Sequence, residues 1–250
     1  MRLITQPKYR HLCDELLQIG RRFDQSGEML VDGNRNTLKV FEVEGIDINV
    51  KSFKLPNFIN SFAYRFIRKS KAQRSFEYGQ ALQSREFLTP DPIGYLEFHK
   101  PLSLSRSFYF SRQIETDFPF SALITNAELP DREVILRQFA KFTYELHERE
   151  ILFLDHSPGN TLIKKTGPFD YDFYLVDLNR MQFKKVALSE RWNNFSRLSA
   201  TPEMLEIIAD EYAGLIGLPF KEVFGALLKA DEKFRSRKLK KKKLKTWVGM

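Results

Sequence analysis

The sequence predicts a mixed α+β chain, with a small antiparallel sheet early and a mainly helical part late. Three observations carry that prediction. Strand-like runs fall in the first half, at Met29–Val31, Thr37–Val43, Ile46–Phe53, Ile93–Phe98 and Ser107–Ile114. Helical patterns dominate the second half, over 131–150, 188–199, 201–216 and 219–234. Within that half, residues 151–180 hold two short apolar runs that each deliver an aspartate, Asp155 and Asp177. At 250 residues the chain has room for one large domain or for two lobes sharing a cleft.

The elements follow in order. Tyr9, Leu12, Cys13, Leu16, Leu17, Ile19 and Phe23 mark one face of a helix over 8–23. Asp32-Gly33-Asn34-Arg35-Asn36 is a cluster of turn formers between two strands, and Glu44-Gly45 turns the chain into a third. Residues 56–84 are helical in two segments. Ile59, Phe62, Ala63 and Phe66 form the apolar face of the first; Ser70 caps the second, which buries Ala72, Phe76 and Leu82. Arg65, Arg68, Lys69, Lys71 and Arg74 crowd the polar side, a solvated face or a surface for an anionic saccharide. Thr89-Pro90-Asp91-Pro92 ends the helix, because a residue before proline is pushed out of the helical region. Two strands follow, joined near Lys100-Pro101. Pro130-Asp131 then opens a strong helix whose His147 reads as a helix-end cation or a core contact rather than a ligand. Thr201-Pro202 is an N-cap followed by a first-turn proline.

Composition bounds the function. Hydrophobic residues at 42%, with 23 Phe, suffice for a core. The single cysteine, Cys13, excludes an intramolecular disulfide framework and points to a reducing compartment. Four scattered His and one Cys offer no zinc or nucleophile constellation. The N-terminal MRLITQPKYRH is broken by charge at once, and no apolar run approaches the roughly 20 residues of a spanning helix. A cytoplasmic protein, or one peripheral to a membrane, is expected. The net charge is +8, and nine of the thirteen residues from Lys233 to Lys245 are Lys or Arg. Such a run attracts anions: nucleic acid, anionic lipid or a phosphorylated substrate.

The stretch ILFLDHSPGNTLIKKTGPFDYDFYLVDLNR carries the chemistry. Asp155 follows an apolar run, Asn160 comes five residues later after a Pro158-Gly159 turn, and a second strand delivers Asp177. Phosphoryl transfer from a nucleotide needs this set: one carboxylate to orient a hydroxyl, an amide and a second carboxylate to hold Mg²⁺ against the phosphates. The bland alternative is a β-hairpin with two exposed aspartates.

D-H-S-P-G-N resembles the catalytic loop of the kinase-like fold as small-molecule kinases use it, and V-D-L-N-R resembles the metal-binding segment. Both are similar to the lipopolysaccharide kinase family, which phosphorylates Kdo or heptose in the lipid A–core region. The resemblance covers roughly residues 27–200. It implies a protein-kinase-like two-lobe fold, with a small antiparallel-sheet N-lobe (1–114, with an N-terminal helix), a mainly helical C-lobe (115–232) and a basic tail (233–250). It implies ATP and Mg²⁺, with Asp155 as the base and Asn160 and Asp177 as metal ligands. Lys51 stands in the third strand, where the family's phosphate-binding lysine lies; Lys54, on the opposite face, competes. Glu77 stands where that lysine's helix partner lies. Gly33 and Asn34 occupy the place of a glycine-rich loop that is otherwise missing, and Gln113 and Glu115 fall in the lobe connection beside the adenine.

Phe153 replaces the histidine of protein kinases, and no long activation loop follows Arg180, so a small-molecule or glycan acceptor is favoured over a protein. His156 either assists the acceptor or closes the turn. The expected function is ATP-dependent phosphorylation of a sugar hydroxyl of lipopolysaccharide core, at the inner face of the cytoplasmic membrane. The tail is expected to touch anionic lipid and not nucleic acid. The alternatives are a kinase of another small molecule or a protein, and a non-catalytic kinase-like binding module. The basic clusters argue against cationic acceptors, and the Asp155, Asn160, Asp177 set argues against the binding module.

Overall fold

The computed structural model describes residues 1–33, 36–53, 69–101 and 103–247. The chain divides into two compact units, Met1–Glu115 with Asp177–Arg180, and Thr116–Val176 with Met181–Met250.

The first unit is built on a six-stranded antiparallel sheet in the order β1-β5-β6-β4-β3-β2. The strands are β1 (Arg2–Thr5), β2 (Glu28–Asp32), β3 (Asn36–Val43), β4 (Ile46–Phe53), β5 (Pro92–Lys100) and β6 (Ser103–Arg112). β1 was not foreseen, since four residues are too few to display a period. It pairs with β5, Leu3 opposite Leu96. Gly94 permits that approach: a Cβ there would lie 2.4 Å from the Ile4 carbonyl oxygen. The β3–β4 turn has φ of 51° at Glu44 and 75° at Gly45, the two left-handed residues that a type I′ hairpin requires.

The expected helix over 8–23 is a 3₁₀ turn, Pro7–Leu12, leading into α1 (Cys13–Arg22). Its Leu12, Leu16, Ile19 and Phe23 pack with Ile48, Val50, Ile93, Leu96, Phe108 and Phe110. The second cluster joins Phe53, Tyr95 and Tyr109 of the sheet to Ala72 and Phe76 of α2 (Lys71–Gln83). Successive strand residues point to opposite faces. Lys51, between Val50 and Phe53, therefore projects on the Phe53 side, toward α2. Ser70 caps α2 as expected, its Oγ accepting from the Gln73 N–H at 3.0 Å. The first expected helical segment, 56–68, with Arg65 and Arg68, lies outside the described residues.

The second unit contains β7 (Phe118–Pro119), α3 (Ser121–Thr125), α4 (Arg132–Glu148), β8 (Ile151–Phe153), β9 (Thr161–Lys165), β10 (Tyr171–Leu175) and β11 (Met181–Phe183). Then come α5 (Leu188–Phe195), a 3₁₀ turn over Ser196–Leu198, α6 (Pro202–Ile216) and α7 (Phe220–Trp247). The strands form small sheets, β10-β9-β7 and β11-β8. The core is helical: Leu136 and Phe139 of α4 pack with Phe195, Leu205, Ile208, Tyr212 and Leu227. Phe139 is fully buried, its ring centre 4.4 Å from that of Phe120; burying such a ring contributes roughly 2–3 kcal/mol. Thr201 caps α6 through the Met204 N–H at 3.3 Å, and Gly217, with φ of 73°, ends it. α7, 28 residues long, continues into the basic stretch from Lys233 onward, because Lys and Leu are good helix formers. No helix among the described residues is long and apolar enough to cross a membrane.

Candidate active site

Two groups of side chains, one in each unit, carry the candidate chemistry. In the first unit Lys51 Nζ lies 2.6 Å from Asp177 Oδ1, the side chains 12% and 27% exposed. The buried Asn179 donates through Nδ2 to the same oxygen at 2.5 Å. Asp177 has φ of 58°. That left-handed conformation is uncommon outside glycine, costs energy, and is tolerated best by Asn and Asp. An aspartate with an unusual backbone, half-sheltered and paired with a strand lysine, is a positioned group rather than a solvated one.

The expected pairing of Lys51 with Glu77 is corrected. The Glu77 carboxylate is held by Lys69 Nζ at 2.7 Å and by Gln73 Nε2 at 2.9 Å. Gln73 stands one helical turn before Glu77 on α2, where side chains four apart meet, and Lys69 neutralises the charge from just ahead of the cap. Lys51 takes the carboxylate of Asp177 instead. Asn34 and Lys54 lie outside the described residues. Gly33 closes the β2–β3 turn, its N–H donating to the Asn36 carbonyl at 3.0 Å. Gln113 is tied to the sheet: its N–H donates to the Asp47 carbonyl at 2.8 Å and its Oε1 accepts from Asn49 Nδ2 at 2.7 Å. Glu115 is the last residue of this unit before the chain leaves it.

In the second unit the loop after β8 is a tight, self-bonded structure. The Asp155 carbonyl accepts from the Ser157 N–H at 2.6 Å and from Asn160 Nδ2 at 2.8 Å. The Asn160 carbonyl accepts from the Val176 N–H at 3.0 Å, so the loop is stitched to the residue that precedes Asp177. Asn160 thus has a structural duty through its amide nitrogen, and its Oδ1 is turned away from that bond. The Asp155 carboxylate is partly exposed, and Arg197 Nη1 approaches its Oδ1 to 3.7 Å.

Behind the loop is a buried polar network centred on Asn194. Asn194 Nδ2 donates to the Phe153 carbonyl at 2.7 Å. Its Oδ1 faces His147 Nε2 at 3.1 Å and His156 Nδ1 at 3.2 Å. An amide oxygen can only accept, so both ring nitrogens carry protons. His147 Nδ1 then accepts from the Tyr212 hydroxyl at 2.8 Å, and Tyr212 accepts from Arg191 Nη1 at 3.3 Å. Burial pushes the His147 pKa down to about 3 and that of His156 down to about 4. His147 is therefore a neutral core contact and not a helix-end cation. His156 is fully buried beside Phe139 and Phe153, which places it in the support of the loop rather than against an acceptor.

No protein-family model matches the sequence, and no curated protein matches it. Among solved structures, WaaP in complex with acyl carrier protein is similar, with a TM-score of 0.66 at 16% sequence identity, over 94% of this chain and 99% of that chain. The chain has a WaaP-like kinase fold.

The nucleotide and divalent cation expected from the sequence would need phosphate-binding and hard oxygen groups. Among the described residues no three His, Cys, Asp or Glu side chains cluster to hold a metal by themselves. Magnesium prefers hard oxygen ligands, and each unit offers one, the Asp177 carboxylate in the first and the Asn160 amide oxygen in the second. Lys51 supplies the fixed positive charge that phosphate oxygens require.

Asn194 and Arg197 escaped the sequence reading. The one signal was an Asn beside the apolar Trp192 and Phe195 of a short helix, since a buried amide must find partners. Nothing in the order of residues places Arg197 against Asp155.

Proposed function

We propose that this chain is an ATP-dependent kinase that phosphorylates a sugar hydroxyl, Kdo or heptose, of the lipopolysaccharide lipid A–core. Asp155 orients the acceptor hydroxyl and takes its proton. Asn160 and Asp177 hold magnesium, which with ATP supplies the neutralised γ-phosphoryl group. Lys51 binds the α- and β-phosphates, exchanging the Asp177 carboxylate for phosphate oxygens of the same charge sign. Gly33 and Asn34 cover the phosphates from the β2–β3 turn, and the backbone around Gln113 and Glu115 faces the adenine. Catalysis on this reading is mainly positioning and charge neutralisation.

The observation that carries the proposal is the Lys51–Asp177 pair, held at 2.6 Å with Asp177 in the left-handed region, on a WaaP-like fold. A binding module has no need of a strained aspartate aimed at a strand lysine. The test is Asp155→Asn, nearly isosteric and on a loop whose bonds run through the Asp155 carbonyl, which the substitution keeps. Single-turnover phosphorylation of core oligosaccharide should fall by roughly 10²–10⁴-fold, the usual contribution of a positioned base. ATP affinity and melting temperature should stay near wild type. Turnover close to wild type removes Asp155 from the chemistry; lost ATP binding with the fold intact exchanges its role with that of the metal ligands.

A further inference from the structure

The second unit contains a cavity of about 260 Å³ lined by Asn193, Ser196, Arg197, Lys233, Phe234 and Arg237. Three of its six residues are cationic. Lys233 and Arg237 are one turn apart on α7 and so share a face. Like charges at that spacing repel and cost helix stability. Neither has a carboxylate partner among the described residues, whereas Arg235, on another face of the helix, is paired with Asp231 at 2.5 Å. Arg197 enters from the 3₁₀ turn after α5, with its guanidinium 5.8 Å from the Phe234 ring centre. That cation–π contact holds the guanidinium beside the ring.

The cavity is continuous in its chemistry with the candidate base, because Arg197 is the residue that reaches Asp155 Oδ1 at 3.7 Å. We infer that this cavity binds an oxyanion carried by the acceptor sugar, a carboxylate or a phosphate ester, and so selects an acidic saccharide over a neutral one. The inference rests on the reading of Asp155 as the acceptor's base. A planar fork and two ammonium- or guanidinium-bearing side chains suit a carboxylate or phosphate. The Phe234 ring suits the apolar face of one sugar ring, and Asn193 Oδ1, whose Nδ2 donates to the Ser189 carbonyl at 2.6 Å, suits a hydroxyl. The volume lies just below the range of small-molecule sites, about 300–1,000 Å³, so it fits a single sugar residue and not a chain of them. A bound oxyanion would also offset the repulsion among Arg197, Lys233 and Arg237, and leave the carboxylate of Asp155 to the hydroxyl.

The experiment compares wild type with Lys233→Gln and Arg237→Gln, alone and together, since both side chains are exposed and removal of their charge leaves the helix intact. Three probes are used: the methyl glycoside of Kdo, its carboxyl-reduced alcohol, and a heptose phosphate. Calorimetric binding is measured without ATP, and phosphorylation is measured separately. Wild type should bind the acid at least tenfold more tightly than the reduced alcohol. The double variant should lose that preference, with KM for the acid rising tenfold or more and KM for the alcohol unmoved. Tight binding of heptose phosphate, lost in the same variants, would name phosphate rather than carboxylate as the oxyanion. Equal binding of the acid and the alcohol by wild type, or variants that keep the preference, overturns the inference while leaving the kinase reading standing. Charge-selective binding without phosphorylation of any probe overturns the kinase reading and keeps the pocket.

Discussion

Asp177 is held by two donors and bent into a backbone region that few residues enter, and that combination has a testable consequence. Asp177→Asn keeps the left-handed preference and the size of the side chain but removes its charge. Mg²⁺-dependent ATP binding should weaken at least tenfold by calorimetry while the melting temperature holds; an unchanged affinity and metal dependence would move the metal site elsewhere. The two buried histidines set a second expectation. Both are neutral in the fold, with pKa values pushed below the ordinary 6.5 to about 3 and about 4. Unfolding at pH between those values and 6.5 therefore takes up protons, so stability is full above about pH 6.5 and is lost as the pH falls. Each proton contributes a slope of about 1.4 kcal/mol per pH unit. Urea midpoints between pH 7.5 and 5 should fall accordingly, and His156→Phe should flatten the slope even where it changes the absolute stability. A pH-independent midpoint in wild type would mean that burial does not depress the two imidazoles.

At the scale of elements, Asn194 ties α5 to the end of β8 and to both histidines, and β8 in turn delivers Asp155. Asn194→Ala strips partners from two ring N–H groups and from the Phe153 carbonyl at once. A buried group left unsatisfied costs about 1–3 kcal/mol, and the three are not additive. A loss of roughly 3 kcal/mol is expected, read as a lower urea midpoint with an unchanged m-value. A change below 1 kcal/mol would show that water reaches these groups. Asn194→Asp tests the tautomers: a carboxylate accepts from both rings but cannot donate to the Phe153 carbonyl, so it should rescue only part of the loss.

At the scale of the whole molecule, the C-terminal helix extends the chain's positive charge along α7. Lys238, Lys240, Lys241 and Lys243 are exposed. Each basic residue near an anionic bilayer contributes about 1 kcal/mol, screened by salt. Sedimentation with vesicles containing anionic lipid should show binding by the full chain that falls as salt rises and is largely lost on removal of residues 238–250, a cut that spares Lys233 and Arg237. Equal binding by both forms sinks the membrane reading, and stronger binding to nucleic acid would revive the alternative of a binding module.

Elements with a clear local period were legible in the sequence. β3, β4 and α4 alternate or repeat plainly, Ser70 and Thr201 are caps by composition, and the Glu44-Gly45 turn is set by what a two-residue hairpin tolerates. The placement of Asp155 after β8, of Asn160 before β9 and of Asp177 after β10 was legible too, because apolar runs and a Pro-Gly turn mark strand ends by local geometry. Tertiary structure alone decided the rest. β1 is too short to carry a period and exists because β5 offers an edge and Gly94 offers room. The partner of Lys51 is Asp177 rather than Glu77, since an ammonium pairs with whichever carboxylate the packing brings nearest, and Glu77 is already paired with Lys69 just ahead of its helix. The neutrality of His147 and His156 follows from burial, which residue order does not state. Arg197 meets Asp155, and Lys233 and Arg237 meet Arg197, across separations of roughly forty residues; local physics fixes the helices that carry them, and only their packing brings the charges together.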